Sequence, residues 1–532
     1  MDLNGKNIND FSTNETFSDT TDFIHVQSTL TGQDTSGTYN NVKVNSDGKL
    51  QAISGKQTIF GETIIAPYTP VFQNYSPYGI ISDQLYTKYT ATGGTVSAND
   101  DGVEVDYNIT TSVGSYAILR SKKVLKYRPG FSNLIRTSAR FDTPVANSLQ
   151  FSGVGNAGSD LYFAYNGTDF GVRHSTGGLG ETRMLTLTAA ATGIETATIT
   201  VNDVVFTANL TNALGTIAFS AHQVETGATY TGWNIEHIGN TIVFSGGSVG
   251  SRAGTYSFSS ATAVGTFSQI MEGAALTTIN ITQANWNGDS TMKTLLDPTK
   301  NNLYEIEYSW FGSSNIYFRV YNPYIGLYET VHTLTFANVN TAPSMNQPNL
   351  YYQHGLASLG STTAMTNTST CALGCTTGII DLRYPISSYF TSKAIASGVE
   401  TNILVIKNRN TVNGYANQSE IYITKMTIIN ESNKPTIIKI TRNPTSTSAD
   451  IVTDYNAYTY VNQTQSLILT DVVSNTYTGG QVLETFYVNK DGSLTLNFEF
   501  RLQMYQSEEF VISALAGAIA TVSISVGFIE DL

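Results

Sequence analysis

Side-chain catalysis draws on groups that titrate or coordinate metal near neutral pH, and this chain spaces few of them usefully. Its six histidines are His25, His174, His222, His237, His332 and His354, and no pair of them falls at metal-ligand spacing. His332 shares a strand face with Thr330 and Leu334, which reads as a packed or surface histidine. Glu305 and Glu307 share one strand face and are candidates for the paired carboxylates of glycan hydrolysis. They lie opposite an aromatic stripe, so the stronger reading is the solvated face of a half-buried strand. Asp100-Asp101 matches no EF-hand pattern and reads as a solvated turn. Cys371 and Cys375 could close a small disulfide loop or supply half a metal site, but nothing completes one, and two ordinary thiols is the better reading. No phosphate loop, HExxH helix or GxSxG elbow is present. The expectation is a chain with no enzymatic activity, no cofactor and no metal, although carboxylates that only the fold brings together leave no local motif.

Aromatic side chains are the remaining chemical resource. Trp233, Trp286, Trp310 and the pair Tyr351-Tyr352 could stack on sugar rings. Trp310 shares a face with Tyr304, Ile306 and Tyr308, which predicts core packing for it. Trp286, flanked by Asn285 and Asn287, and Tyr351 and Tyr352 stand as the candidate ligand-stacking residues.

The elements that position these groups must be strands. Charged residues make up only 13% of 532 residues, about half of the roughly 25% of ordinary globular chains. Thr, Ser, Asn, 45 Gly and 31 Tyr fill the polar share, the composition of pleated, half-exposed surfaces. This excludes a helix-rich enzyme and a coiled coil, and 11% aromatic residues excludes a disordered chain. A net charge of −13 argues against nucleic acid. The basic stretch Arg120 to Arg128 reads as a solvated loop. The N-terminal residues lack a basic region and an apolar run, which predicts synthesis in a cytoplasm without secretion. Phe510 to Ile529 is uncharged and long enough to imitate a membrane span, but Val522-Ser-Ile-Ser-Val526 alternates with period two and the flanks are acidic. Two strands joined at Ala516-Gly517-Ala518 are predicted instead.

Along the chain, residues 1–79 read as an N-terminal arm and a Pro-rich linker or edge segment, with a short hairpin near Asn41–Leu50. Residues 80–375 carry short alternating strands, among them Tyr304–Trp310 and Asn315–Val320 around Phe311-Gly312-Ser313-Ser314. Residues 183–285, poorer in charge and richer in Ala and Thr, read as a small inserted β domain, in which Leu214–His222 is either a short helix or a strand. Residues 376–532 form a further β unit.

Several strings resemble virion-associated fibre, spike or appendage proteins of tailed bacteriophages and some large DNA viruses. They include Lys126-Tyr-Arg-Pro-Gly130, Phe163-Ala-Tyr-Asn-Gly-Thr-Asp-Phe-Gly-Val172, Leu296 to Tyr304, Trp310-Phe-Gly312, Lys434-Pro435 and Thr478-Gly479-Gly480. They spread over most of residues 60–532 and are turn and strand signatures, not catalytic motifs. The resemblance implies an all-β protein: a lectin-like jelly-roll sandwich with an inserted small β domain, followed by a second β-sandwich. It also implies a structural component of a virus particle, presenting a surface to the host and contacting other virion proteins. Host surface glycan is the expected ligand. Packing copies around an axis covers open sheet edges, and the resemblance favours a homotrimer. A glycan-degrading virion enzyme and a secreted adhesin are the alternative readings.

Overall fold

The computed structural model describes residues 31–33, 39–41, 68–99, 102–213, 215–378, 386–412, 414–446, 466–472 and 477–531. Residues 1–30, most of the hairpin expected at Asn41–Leu50 and the Asp100-Asp101 turn lie outside them. The chain divides into two units, Met1–Ile65 and Ala66–Leu532. In the first, strands Thr31–Gln33 and Tyr39–Asn41 pair antiparallel, with Thr31 opposite Asn41.

The second unit is built almost entirely of β-strands. Its first sandwich faces a seven-stranded sheet against a six-stranded one. The seven strands lie in the order Thr277–Thr282, Asp169–Thr176, Asp160–Asn166, Ser148–Gly155, Leu350–Ser358, Tyr116–Leu125 and Tyr86–Ala91. The six lie in the order Leu327–Leu334, Ile316–Asn322, Asn302–Tyr308, Asn133–Ala139, Cys371–Thr377 and Tyr68–Tyr75. Alternation sets what each face does. Tyr304, Ile306 and Tyr308 point inward and are buried, with Phe163 of the other sheet 4.7 Å from Tyr304, ring centre to ring centre. Trp310 packs against this core, and its indole N–H donates to the Met345 carbonyl at 2.9 Å.

The sandwich begins earlier than residue 80. Tyr68–Tyr75 is an edge strand on Cys371–Thr377, and an edge tolerates Pro70 because that position lacks an N–H to give. The insertion spans a shorter stretch than 183–285. Its strands run from Gly180–Ala189 to Val264–Met271 and build a four-stranded and a three-stranded sheet, whereas Thr277–Thr282 returns to the main sheet. The ambiguous Leu214–His222 segment enters a helix, Ile217–Thr226. Thr216 caps it by accepting the Phe219 N–H at 3.2 Å, and Phe219, Ala221 and Val224 bury its inner face.

The second sandwich stacks four strands, including Glu420–Asn430 and Ala520–Asp531, against five, including Thr401–Asn408 and Glu509–Ala516. Its core is dominated by Ile, Val, Leu and Phe. The uncharged 510–529 stretch thus supplies two strands, and no described helix is long and apolar enough to cross a membrane.

The basic stretch Arg120–Arg128 is not a solvated loop. Arg120 to Leu125 lie within the strand Tyr116–Leu125, and three of the cations pair with carboxylates of the second sandwich. Lys122 reaches Glu508 at 3.3 Å, while Lys126 and Arg128 reach Asp531 at 3.0 and 3.4 Å.

Candidate functional site

The structure scatters the three expected stacking residues. Trp286 is 1% exposed and packs edge-on against Phe163 and Phe170 in the first core. Tyr352 is 2% exposed and sits in the same core near Phe72. Neither ring offers a face to an external ligand, because both are buried in the core, and strand alternation turns Tyr351 to the opposite face. Tyr351 lies beneath Arg120, whose guanidinium carbon is 4.6 Å from the ring centre. Burial pushes the Tyr351 phenol up to about 12.

Glu305 and Glu307 do share a face, but it is not a solvated one. Both are buried on the outer side of the six-stranded sheet. Register explains their partners: Glu305 stands opposite Arg319 on one neighbouring strand and opposite Arg136 on the other. Arg136 Nε donates to Glu305 Oε2, and Arg319 Nη1 donates to both Glu305 Oε1 and Glu307 Oε2, each at 2.6 Å. Ser132 Oγ donates to Glu307 Oε1 at 2.9 Å. All four carboxyl oxygens are therefore engaged. Tyr328 and Tyr317 lie against Arg136 and Arg319, at 4.8 and 5.1 Å.

His332 is buried and its Nδ1 accepts the Asn287 backbone N–H at 3.2 Å. Desolvation lowers it to about 4. His354, between the rings of Tyr107 and Phe141, is lowered to about 3 for the same reason. Cys371 and Cys375 are free thiols, exposed and buried respectively.

No local pattern marks the cleft where the first sandwich, the insertion and the second sandwich meet. Its volume is about 620 Å³, within the range of small-molecule sites. Tyr89 and Arg120 come from the seven-stranded sheet, Trp233 and Asn234 from the insertion, and Asn410, Tyr415, Gln418 and Gln506 from the second sandwich. Asn156 and Gln347 close it from loops of the first sandwich. The parts are fixed to each other: Thr182 Oγ1 donates to the Gly414 carbonyl at 2.9 Å, and the Asn410 backbone N–H donates to Glu236 of the insertion at 3.1 Å. Gly414 holds a φ of +85° at the cleft wall, a conformation that suits glycine.

Among the described residues, Arg120 is the one charged side chain lining this cleft. Its guanidinium is clamped between Tyr89 and Tyr351, at 4.7 and 4.6 Å. Arg128, Arg136, Arg140, Arg173, Arg183, Arg319 and Arg442 each reach a carboxylate, whereas Arg120 reaches none among the described residues. Arg120 Nε and Asn410 Oδ1 are buried without a hydrogen-bond partner among those residues. Unmet polar atoms on a cavity wall are costly unless something binds them. Across the cleft Trp233 carries Arg252 on its ring at 4.6 Å. The arrangement offers amide groups for hydroxyls, rings for apolar sugar faces and one cation for an anion.

No protein-family description and no curated protein matches the chain. Solved structures do. An endo-1,3-β-glucanase from Streptomyces sioyaensis aligns over 59% of this chain and 97% of its own, at 9% identity and a TM-score of 0.28. A legume lectin-like domain from Entamoeba histolytica aligns over 58% and 98%, at 8% identity and a TM-score of 0.24. LamAcat from Zobellia galactanivorans aligns over 58% and 97%, at 12% identity and a TM-score of 0.22. Such identities speak for the fold alone and assign no residue of this chain a role. They do correct the expectation of a chain without enzymatic activity. That expectation rested on missing local motifs, and the structures that align with the chain include an endo-1,3-β-glucanase and a glycosyl hydrolase family 16 protein.

Proposed function

We propose that the chain binds polysaccharide in the cleft between its two sandwiches and the insertion, and that the ligand carries carboxylate or sulfate groups. The observation that carries this reading is Arg120: a guanidinium held rigid by two tyrosines, with no carboxylate partner among the described residues, on a wall that also carries amides, hydroxyls and rings among glycines and aliphatic side chains. A planar fork with open donors recognises planar anions well. Calorimetric titration with acidic and neutral oligosaccharides of equal length tests it. Binding of a uronate or sulfated oligosaccharide at least 10-fold tighter than the neutral one, about the worth of a charge-assisted hydrogen bond, supports the proposal. Binding of neither removes it.

A second reading, cleavage of a glycan at the outer face of the six-stranded sheet and away from the cleft, is favoured by the Glu305 and Glu307 pair on a strand flanked by tyrosines. Hydrolysis needs one carboxyl freed from its arginine to meet the substrate. Release of new sugar ends from an acidic polysaccharide, lost in both Glu305→Gln and Glu307→Gln, supports it. A particle-borne appendage is the setting we propose, with other virion proteins and further copies of the chain, in a homotrimer, for partners. Mass spectrometry of purified particles and light scattering of the full chain test these two points.

A further inference from the structure

The insertion holds a second cluster that no spacing rule on histidines alone would find. His222 and Glu225 stand three residues apart on the helix Ile217–Thr226, so they share one face. His237, on the strand Trp233–Ile238, meets them. Glu225 Oε2 is 2.5 Å from His237 Nδ1 and 3.9 Å from His222 Nδ1. One donor atom from each of the three lies within 4.8 Å of the others. Both histidines are buried, and Glu225 is the most accessible of the three.

We propose that His222, Glu225 and His237 form a binding site for a divalent transition ion, of which zinc is the best match. Two imidazoles and one carboxylate are donors that zinc accepts at about 2.0–2.2 Å, with a position left for water. Donors around one such ion sit roughly 3.4 Å apart by those lengths. The ion would therefore spread the close Glu225–His237 edge and draw His222 inward, shifts of about an ångström that side-chain rotation supplies. The Glu225 side opens toward solvent and gives an entry path. Lys407, whose charge also reaches Glu225, pairs with Glu236 at 3.5 Å, which offsets that charge. Hard cations are poor competitors, since magnesium and calcium prefer all-oxygen shells. The ion would tie the helix to the four-stranded sheet, and so brace the insertion whose strand Trp233–Ile238 also lines the cleft.

The test uses the full chain after chelator treatment, titrated with zinc chloride. One equivalent should bind and raise the melting temperature, while magnesium chloride should do neither. His222→Asn and His237→Asn should each weaken zinc binding roughly 10-fold or more. Cobalt(II) added to the unmutated chain should give the strong visible bands of a four- or five-coordinate site, a readout that needs no variant to fold. Absent cobalt bands, zinc binding that both folded variants retain, or equal binding of magnesium would each overturn the proposal.

Discussion

Lys126 in the first sandwich and Asp531 in the second form an ion pair at 3.0 Å, with side chains only 10% and 3% exposed. Burial pushes the Lys126 ammonium below the usual lysine range, and Asp531 and Glu420 work against that. Removing one member of a buried pair leaves the other charge stranded. Asp531→Ala should therefore cost about 3 kcal/mol, read by urea unfolding. Lys126→Met combined with Asp531→Leu should recover part of that loss, since Arg128 still lacks its Asp531 partner. A cost below about 0.5 kcal/mol, the level of an exposed pair, would show that this contact does not hold the sandwiches together.

The cleft separates charge recognition from stacking. Arg120→Gln should weaken binding of an acidic oligosaccharide by roughly 10- to 100-fold, the worth of a charge-assisted hydrogen bond. It should leave any weak binding of the neutral counterpart unchanged. Trp233→Ala should lower both, since stacking does not read charge. Equal loss in Arg120→Gln for both ligands would point to a merely structural arginine.

Arg319 holds two carboxylates through one nitrogen. Arg319→Met should leave Glu305 and Glu307 in mutual repulsion and destabilise the fold by about 3 kcal/mol. Adding Glu307→Gln should restore part of that, because one carboxylate remains and Arg136 still serves it. Chemical denaturation of the single and double variants measures the difference. No recovery in the double variant would mean that packing, not charge, is lost.

His354 should make the fold acid-sensitive. A histidine in the unfolded chain titrates near 6.5, whereas burial holds this one neutral until about 3. Between those values the unfolded chain takes up a proton that the folded chain refuses, so stability falls as pH drops from about 6.5. By pH 5 the loss is about 2 kcal/mol. Buried Glu420 and Glu530, raised by desolvation, act with the opposite sign, so the comparison must be between variants. His354→Leu should match or exceed the parent at pH 7.5, because neither ring nitrogen has a partner among the described residues. At pH 5 it should exceed the parent by about 2 kcal/mol. Parallel pH profiles would refute this.

The all-β class, the inward stripe of Tyr304, Ile306 and Tyr308, and the strand identity of the 510–529 stretch were legible in the amino-acid order. Those properties follow from period-two alternation, which is local. Helix Ile217–Thr226 stayed ambiguous because its apolar run is short, and its Thr216 cap and its packing decide the outcome. The chemistry was settled only when the chain folded. Alternation marked Glu305 and Glu307 as facing away from the core, but cross-strand register set Arg136 and Arg319 over them. The basic run Arg120–Arg128 looked solvated because its counter-charges are remote in the chain: Glu508 lies 386 residues beyond Lys122, and Asp531 lies 403 beyond Arg128. The cleft takes side chains from positions as distant as Tyr89 and Gln506. Contacts between residues so far apart are set by how sheets stack, and no local pattern encodes that.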